Sequence, residues 1–295
     1  MDLADLRIFE AVARLGGMNR AAGELNTVQS NVTTRIRLLE DELAAPLFRR
    51  HSRGVSLTAA GARLLPYAVR LRQTMEEARR ALVDDGTPRG ALTLGSLETT
   101  VALRLSAQLA AYAAAYPEVD LVLRTGTTCE LVKEVLEFRL EGAFVCGPVD
   151  HPELEETLAF RERLAILTAP SVVDLDRELH HRALKIVVLR AGCSYRQRLE
   201  EILARRGIVN LRILEFGTIE AIMGSVAAGI GITLLPKGLA EAMGSRHRIA
   251  IHELPPAVAG VDTVFIRRRD APASSALAAL LAHQFAAPAQ AAAAD

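Results

Sequence analysis

Residues 28–43, VQSNVTTRIRLLEDEL, decide how the first third of this chain folds. Val32, Ile36, Leu39 and Leu43 recur at i, i+4, i+7 and i+11, which at roughly 100° per residue is one apolar stripe along a helix. Half a turn away lie Ser30, Thr34 and Arg37, flanked by Gln29, Asn31 and Thr33, and no acidic side chain comes before Glu40. Gln and Asn suit adenine, Arg suits guanine, and Ser or Thr suits either at base edges in a major groove. A merely solvated helix face has the same polarity, so the flanks must decide between the two.

Upstream, Leu3, Leu6, Phe9 and Ala13 keep helical spacing until Gly16 and Gly17 stop it. Asn19 is expected to cap a short second helix reaching Leu25, in which Ala21 and Ala22 permit a close helix crossing. Asn26 and Thr27 make the turn, and the pair of helices reads as a helix-turn-helix whose second member enters the major groove. Downstream, Arg49, Arg50, His51, Ser52, Arg53 and Gly54 combine turn chemistry with positive charge before Val55 and Leu57 resume alternation. This basic hairpin is expected to reach phosphate or the minor groove. The candidate DNA-binding residues are therefore Gln29, Ser30, Asn31, Thr33, Thr34, Arg37, Arg49, Arg50 and Arg53.

The ordered strings DLRIFEAVARLGGMNRAAGELN, VQSNVTTRIRLLEDELAAPLFRR and GVSLTAAGARLL resemble the amino-terminal third of LysR-type transcriptional regulators. Gln29, Ser30, Val32, Ile36, Leu39, Glu40, Leu47, Phe48, Arg50, Leu57, Thr58 and Gly61 stand where that family has its characteristic residues. Val28 and Thr34 depart from the pattern, replacing a common Ser and a common basic residue, and these departures bear on which operator is preferred. The resemblance implies double-stranded operator DNA as a partner. It also implies a linker helix that pairs two chains, assembly to a homotetramer, contact with RNA polymerase if the protein activates, and control by a small-molecule effector.

Composition agrees with such a plan. Half of the 295 residues are apolar, enough for two or three compact units. Net charge is zero, yet residues 1–83 hold thirteen Arg against nine acids and no Lys, so the front is the basic end. Arg favours forked recognition of phosphate and guanine. Cys129, Cys146 and Cys193 are too few and too scattered for a disulfide framework or a thiolate metal site, which fits a reducing cytosol. With no leading signal pattern and no apolar run near the roughly 20 residues of a membrane span, a cytoplasmic protein without membrane contact is expected.

After Thr58, which is placed to cap it, a helix is expected to about Val83. Along it Gly61, Leu64, Ala68, Leu71, Met75, Ala78 and Leu82 follow the alternating 3 and 4 spacing of a heptad seam, although Pro66 interrupts it. The seam reads as a dimer contact, with docking on the chain's own domain as the alternative. Breakers at 84–90 form a hinge. Short apolar strands then alternate with helices, which argues a parallel sheet with crossover helices. The expected fold is thus α/β and multidomain: a winged helix-turn-helix (1–57), a linker helix (58–83), a hinge (84–90) and a two-lobed effector domain. By resemblance to type 2 periplasmic binding proteins, lobe I takes 91–161 with 265–290 and lobe II takes 162–264, leaving a frayed tail at 291–295.

Ligand contacts are expected where strands run into helix starts, since helix amino termini offer free N–H groups. This selects Ser96, Glu98, Thr99, Thr100, Thr127, Thr128, Cys146, Cys193, Ser194, Tyr195, Gly217 and Thr218, although hydroxyls there also serve as caps. A small anionic metabolite is the expected occupant. The enzyme classes find little support: no GxxxxGK[ST] or HExxH occurs, Gly229 and Gly231 lack a third dinucleotide-turn glycine, and the seven histidines are scattered. Adjacent His180 and His181 point apart on a helix, so neither metal nor cofactor is expected. A transport binding protein fits the rear of the chain but not the front. The runner-up is a repressor that acts through DNA architecture without a ligand.

Overall fold

The computed structural model describes residues 1–285 apart from Arg53, residues 180–183 and Ser245. The expectations for Arg53, the His180 and His181 pair, and residues 286–295 therefore lie outside the described residues. Two compact units form, one from Met1–Asp85 with Glu137–Arg139 and one from Gly86–Leu136 with the described residues from Leu140 on.

In the first unit, α1 (Leu3–Leu15) starts with a capping box: Asp2 accepts from the Asp5 amide at 2.7 Å and Asp5 accepts from the Asp2 amide at 3.1 Å. Gly16, at φ 66°, ends it in the left-handed conformation that glycine adopts without strain. The helix α2 (Met18–Glu24) begins directly after Gly17 and has no side-chain cap, so Asn19 is inside the helix rather than capping it. The sharp turn at Gly16 starts α2 two residues too early for Asn19 to cap it. Asn26 makes the next turn at φ 51°, and α3 (Gln29–Glu42) follows. Val32, Ile36 and Leu39 are buried with Leu6, Phe9, Val12, Ala21 and Ala22, each large side chain contributing about 1.5–3 kcal/mol. Leu43 only joins the edge of this core.

The strands β1 (Phe48–His51) and β2 (Gly54–Leu57) pair antiparallel as a hairpin. Two contacts dock it. Glu40 of α3 accepts the Leu47 and Phe48 amides at 2.6 and 3.0 Å, and the Gly16 carbonyl accepts the Val55 amide at 3.2 Å. Thr58 then caps α4 (Ala59–Val83), accepting from the Gly61 amide at 3.0 Å while its hydroxyl donates to the Pro46 carbonyl at 2.6 Å. Ala68 is buried in the core shared with α1, and Arg72 binds Glu10 of α1 at 2.7 Å. The later seam positions emerge from the fold: Leu71, Met75 and Leu82 are 42, 38 and 87% exposed.

The second unit runs β3 (Gly90–Ser96), α5 (Glu98–Thr100), a π-helical turn (Val101–Leu105), α6 (Ser106–Ala115), β4 (Val119–Thr125), α7 (Thr128–Leu136) and β5 (Gly142–Cys146). Next come β6 (Leu154–Thr168), α8 (Leu175–Leu179), β7 (Leu184–Val188), α9 (Ser194–Arg205), β8 (Leu211–Glu215) and α10 (Ile219–Ala227). Then follow β9 (Thr233–Pro236), α11 (Lys237–Met243), β10 (Ala250–Glu253), α12 (Pro256–Ala259), β11 (Gly260–Arg268) and α13 (Ser275–Phe285). As the alternation implied, β3 lies parallel to both β4 and β5, and β7 is parallel to β8. The long β6 serves both halves of the unit: Leu154–Arg163 pairs with β11, and the stretch from Leu164 to Thr168 pairs with β9 and β10. Backbone bonds from the Val187 amide to the Ile232 carbonyl and from the Ile232 amide to the Lys185 carbonyl tie β7 in as well. Among the described residues no helix is long and apolar enough to cross a membrane.

Gly54 supplies a test of the hairpin's seat. It sits at φ 130°, and an added Cβ would lie 2.4 Å from the Gly16 carbonyl oxygen. Gly54→Ala is expected to destabilise the first unit by about 1–3 kcal/mol. Gly23→Ala, in α2 with nothing within 4 Å of an added Cβ, is expected to stabilise by about 0.5–1 kcal/mol. Chemical denaturation of the two variants checks both signs; equal effects would overturn the assignment.

Candidate functional site

The α3 face opposite the core carries the expected polar set. Gln29, Ser30, Asn31, Thr34 and Arg37 are exposed, and Thr33 is half-buried. The Asn31 amide donates to the Thr27 hydroxyl at 3.0 Å, which ties one of its donors to the turn. Arg35 is turned back, bound to Asp5 at 2.6 Å and Asp2 at 3.0 Å, so Arg37 is the cation presented outward with this polar set. Of the three acids at the end of the helix, Glu40 is used by the hairpin and Glu42 pairs with the amino terminus, while Asp41 is exposed one turn beyond Arg37. On β1, Arg49 and Arg50 are both exposed. Helix and hairpin together present a surface of hydrogen-bonding groups and cations, which is what duplex DNA requires of a binder.

In the second unit a cavity of about 160 Å³ opens where the loops after β3, β4, β7 and β8 meet. Glu98, Thr99, Thr127, Cys193, Ser194, Tyr195 and Gly217 line it, as expected from their places at helix starts. Leu97, Thr125, Gly126, Leu189, Arg190 and Phe216 complete the wall. Five expected residues do not line it. Ser96 is wholly buried and its hydroxyl donates to the Leu97 carbonyl, and Thr100 is buried behind the wall. Thr128 accepts the Ser194 hydroxyl at 3.2 Å and the Cys146 amide at 3.3 Å, so it braces the wall without forming it. Cys146 is buried as a small core residue, and Thr218 accepts from the Ala221 amide as the cap of α10. Arg190 is the residue that a search for hydroxyls missed. It follows β7 by two positions, so the same strand-end rule applied to charged side chains finds it.

Contacts to neighbouring elements hold the wall residues in place. Glu98 accepts the Ile219 amide at the start of α10 at 3.1 Å. Arg190 donates to Glu130 of α7 at 2.8 Å, and Glu130 also accepts the Thr127 amide and hydroxyl at 2.8 and 3.0 Å. The Thr127 amide above all, with the Arg190 guanidinium, holds the Glu130 carboxyl below its ordinary range. Thr99 meets the Tyr195 hydroxyl at 3.4 Å, and burial pushes that phenol far up. Burial likewise raises the Cys146 and Cys193 thiols, which makes them poor nucleophiles.

Comparison with known proteins gives two family matches. A model described as the LysR substrate binding domain matches residues 85–286, and one described as a bacterial regulatory helix-turn-helix protein of the lysR family matches residues 3–62. The chain is 40% identical over 283 residues to the HTH-type transcriptional regulator GltR of Bacillus subtilis, covering 96% of each protein. It is 41% identical over 270 residues to the HTH-type transcriptional regulator CzcR of Bacillus thuringiensis, covering 92% of each. Among solved structures, a full-length variant of OxyR from Pseudomonas aeruginosa superposes with TM-score 0.69 at 19% identity, covering 96% of this chain and 94% of that one. Full-length CbnR complexed with its target DNA superposes with TM-score 0.66 at 23% identity, covering 96% and 98%.

The lowered Glu130 carboxyl fixes a pH dependence. A carboxylate held below its unfolded value contributes stability above that value, here about pH 4.5, and loses it as pH falls through the folded value. Wild type is therefore expected to melt above Glu130→Gln at pH 7, with the gap closing as pH falls below that unfolded value. Thermal denaturation at several pH values measures it, and a gap that widens in acid would refute the stabilising role of the Glu130 carboxylate.

Proposed function

This chain belongs to the LysR family of bacterial DNA-binding transcriptional regulators with an effector-binding domain, and from that premise we propose how its own residues bind DNA and effector. The observation that carries the DNA reading is the α3 face, where Gln29, Ser30, Thr34 and Arg37 are exposed while the neighbouring Arg35 and Glu40 are engaged elsewhere. We assign base reading to Gln29, Ser30, Asn31, Thr33, Thr34 and Arg37. Arg49 and Arg50, with Arg53 of the same basic run, take phosphates. CbnR, similar in fold, has been seen with its target DNA, which supports the same use of this unit.

The exposed Leu71, Met75 and Leu82 support pairing of two chains along α4, and two such dimers make the tetramer. Work on DNA assigns the protein to the cytoplasm, with RNA polymerase as its further partner if it activates. The effector is a small metabolite in the cavity between the loops after β3, β4, β7 and β8, with an anionic group facing Arg190. It is this cavity, with two charged residues in its wall, that favours a ligand-controlled regulator over one acting through DNA architecture alone.

Arg37→Ala is expected to weaken specific operator binding by about 1–3 kcal/mol and to leave a scrambled duplex nearly unaffected. Arg49→Ala and Arg50→Ala are expected to weaken both duplexes alike and to flatten the salt dependence. Retardation assays at two salt concentrations separate these, and equal losses on both duplexes for Arg37→Ala would remove its base-reading role. Leu71→Asp is expected to dissociate the dimer in light scattering; an unchanged oligomer would reassign the seam to docking within the chain.

A further inference from the structure

Resting on the effector reading above, we propose that the cavity selects a zwitterion, a small α-amino acid, with its ammonium on Glu98 and its carboxylate on Arg190. The two residues line one cavity of about 160 Å³, below the roughly 300–1,000 Å³ of sites for drug-sized ligands. Each is held in place by a partner on another element. Glu98 is fixed by the Ile219 amide, where α10 begins, and Arg190 by Glu130, in the first turn of α7. Their charges are thus set at two different places in the wall.

Neither anchor is exhausted by its partner. A carboxylate offers about four acceptor positions, of which the Ile219 amide takes one on Oε1, and a guanidinium offers five donors, of which Glu130 engages Nη2. A ligand carrying only a carboxylate would satisfy Arg190 but set a like charge near Glu98. One carrying only an amine would do the reverse. A molecule bearing both charges satisfies both anchors and sets no like charge against either, so the wall favours it over both single-charge classes. Leu97, Leu189 and Phe216 supply the apolar wall for a short side chain.

The test titrates the full-length protein, by thermal shift and then calorimetry, with the common α-amino acids, their deaminated acids and their decarboxylated amines at up to millimolar concentration. At least one amino acid is expected to bind tenfold or more tightly than its matching acid and amine. Glu98→Gln, which keeps an acceptor for the Ile219 amide, is expected to weaken that amino acid at least tenfold without weakening the acid. Arg190→Gln is expected to weaken the amino acid and the acid but not the amine. If the acid binds wild type as tightly as the amino acid, and Arg190→Gln weakens it, the zwitterion is overturned while the effector cavity stands. An amine that binds as tightly as the amino acid overturns it too. If no compound binds, or if binding ignores both substitutions, the cavity assignment falls as well.

Discussion

The backbone ladder of β6 is the constraint on which the second unit depends, because strands from both sides of the cavity are hydrogen-bonded to it. Its fifteen residues give their first part to β11 and their last part to β9 and β10. Buried amides and carbonyls must be paired, so neither side can shift register along β6 without exposing an apolar face and orphaning a ladder. The change of partners falls beside Glu162, which is buried and held by Arg104 of the π-helical turn through two bonds of 2.6 and 3.1 Å. Removing Arg104 would leave that carboxylate buried without its partner, the costly way to break an ion pair. The loops around the cavity therefore hang from strand ends that are themselves fixed.

The first unit rests on a comparable economy of backbone groups. The carbonyl of Gly16 accepts from the hairpin at Val55 and from the Arg20 guanidinium, and Gly54 passes over it where no side chain fits. Glu40 is the counterpart on α3. An acid on a helix that meets phosphate would repel it, but here the carboxylate takes two hairpin amides and becomes part of the scaffold. One side chain thus turns its own negative charge to the scaffold and fixes the basic hairpin.

Much of this was legible because it follows from periodicity and turn chemistry. The stripe of Val32, Ile36 and Leu39, the stop at Gly16, the cap at Thr58 and the parallel β3, β4 and β5 all depend on local rules. What depended on tertiary distance was read less well. The cavity's seven foreseen residues share a strand-end position, but the rule cannot tell a residue that faces the cavity from one a position away that packs behind it, as Ser96 and Thr100 do. Nor could spacing show that Arg190 would meet Glu130, sixty positions earlier, or that Glu98 would reach Ile219, because those pairings exist only once the two halves are joined. The cap of α2 failed for a different reason: Gly16 turned the chain so sharply that the helix began before Asn19.

Those two pairings also bear on how a ligand could alter the regulator. A ligand shifts an equilibrium only by its difference in affinity between two arrangements, and couplings of this kind are about 1–3 kcal/mol. A deeply buried ion pair across the cavity would resist so small a difference. Arg190 and Glu130 are instead both about half exposed, at 56 and 51%, and exposed pairs are worth about 0–1 kcal/mol. A ligand carboxylate that takes over the guanidinium exchanges one weak pair for another of similar kind. The difference between the arrangements is then left to the remaining contacts, chiefly those of Glu98 at the start of α10. A cavity whose own groups, the Glu130 carboxylate on Arg190 and the Ile219 amide on Glu98, would be replaced by a ligand's two charges keeps both arrangements close in energy, which is the condition under which a small molecule can choose between them.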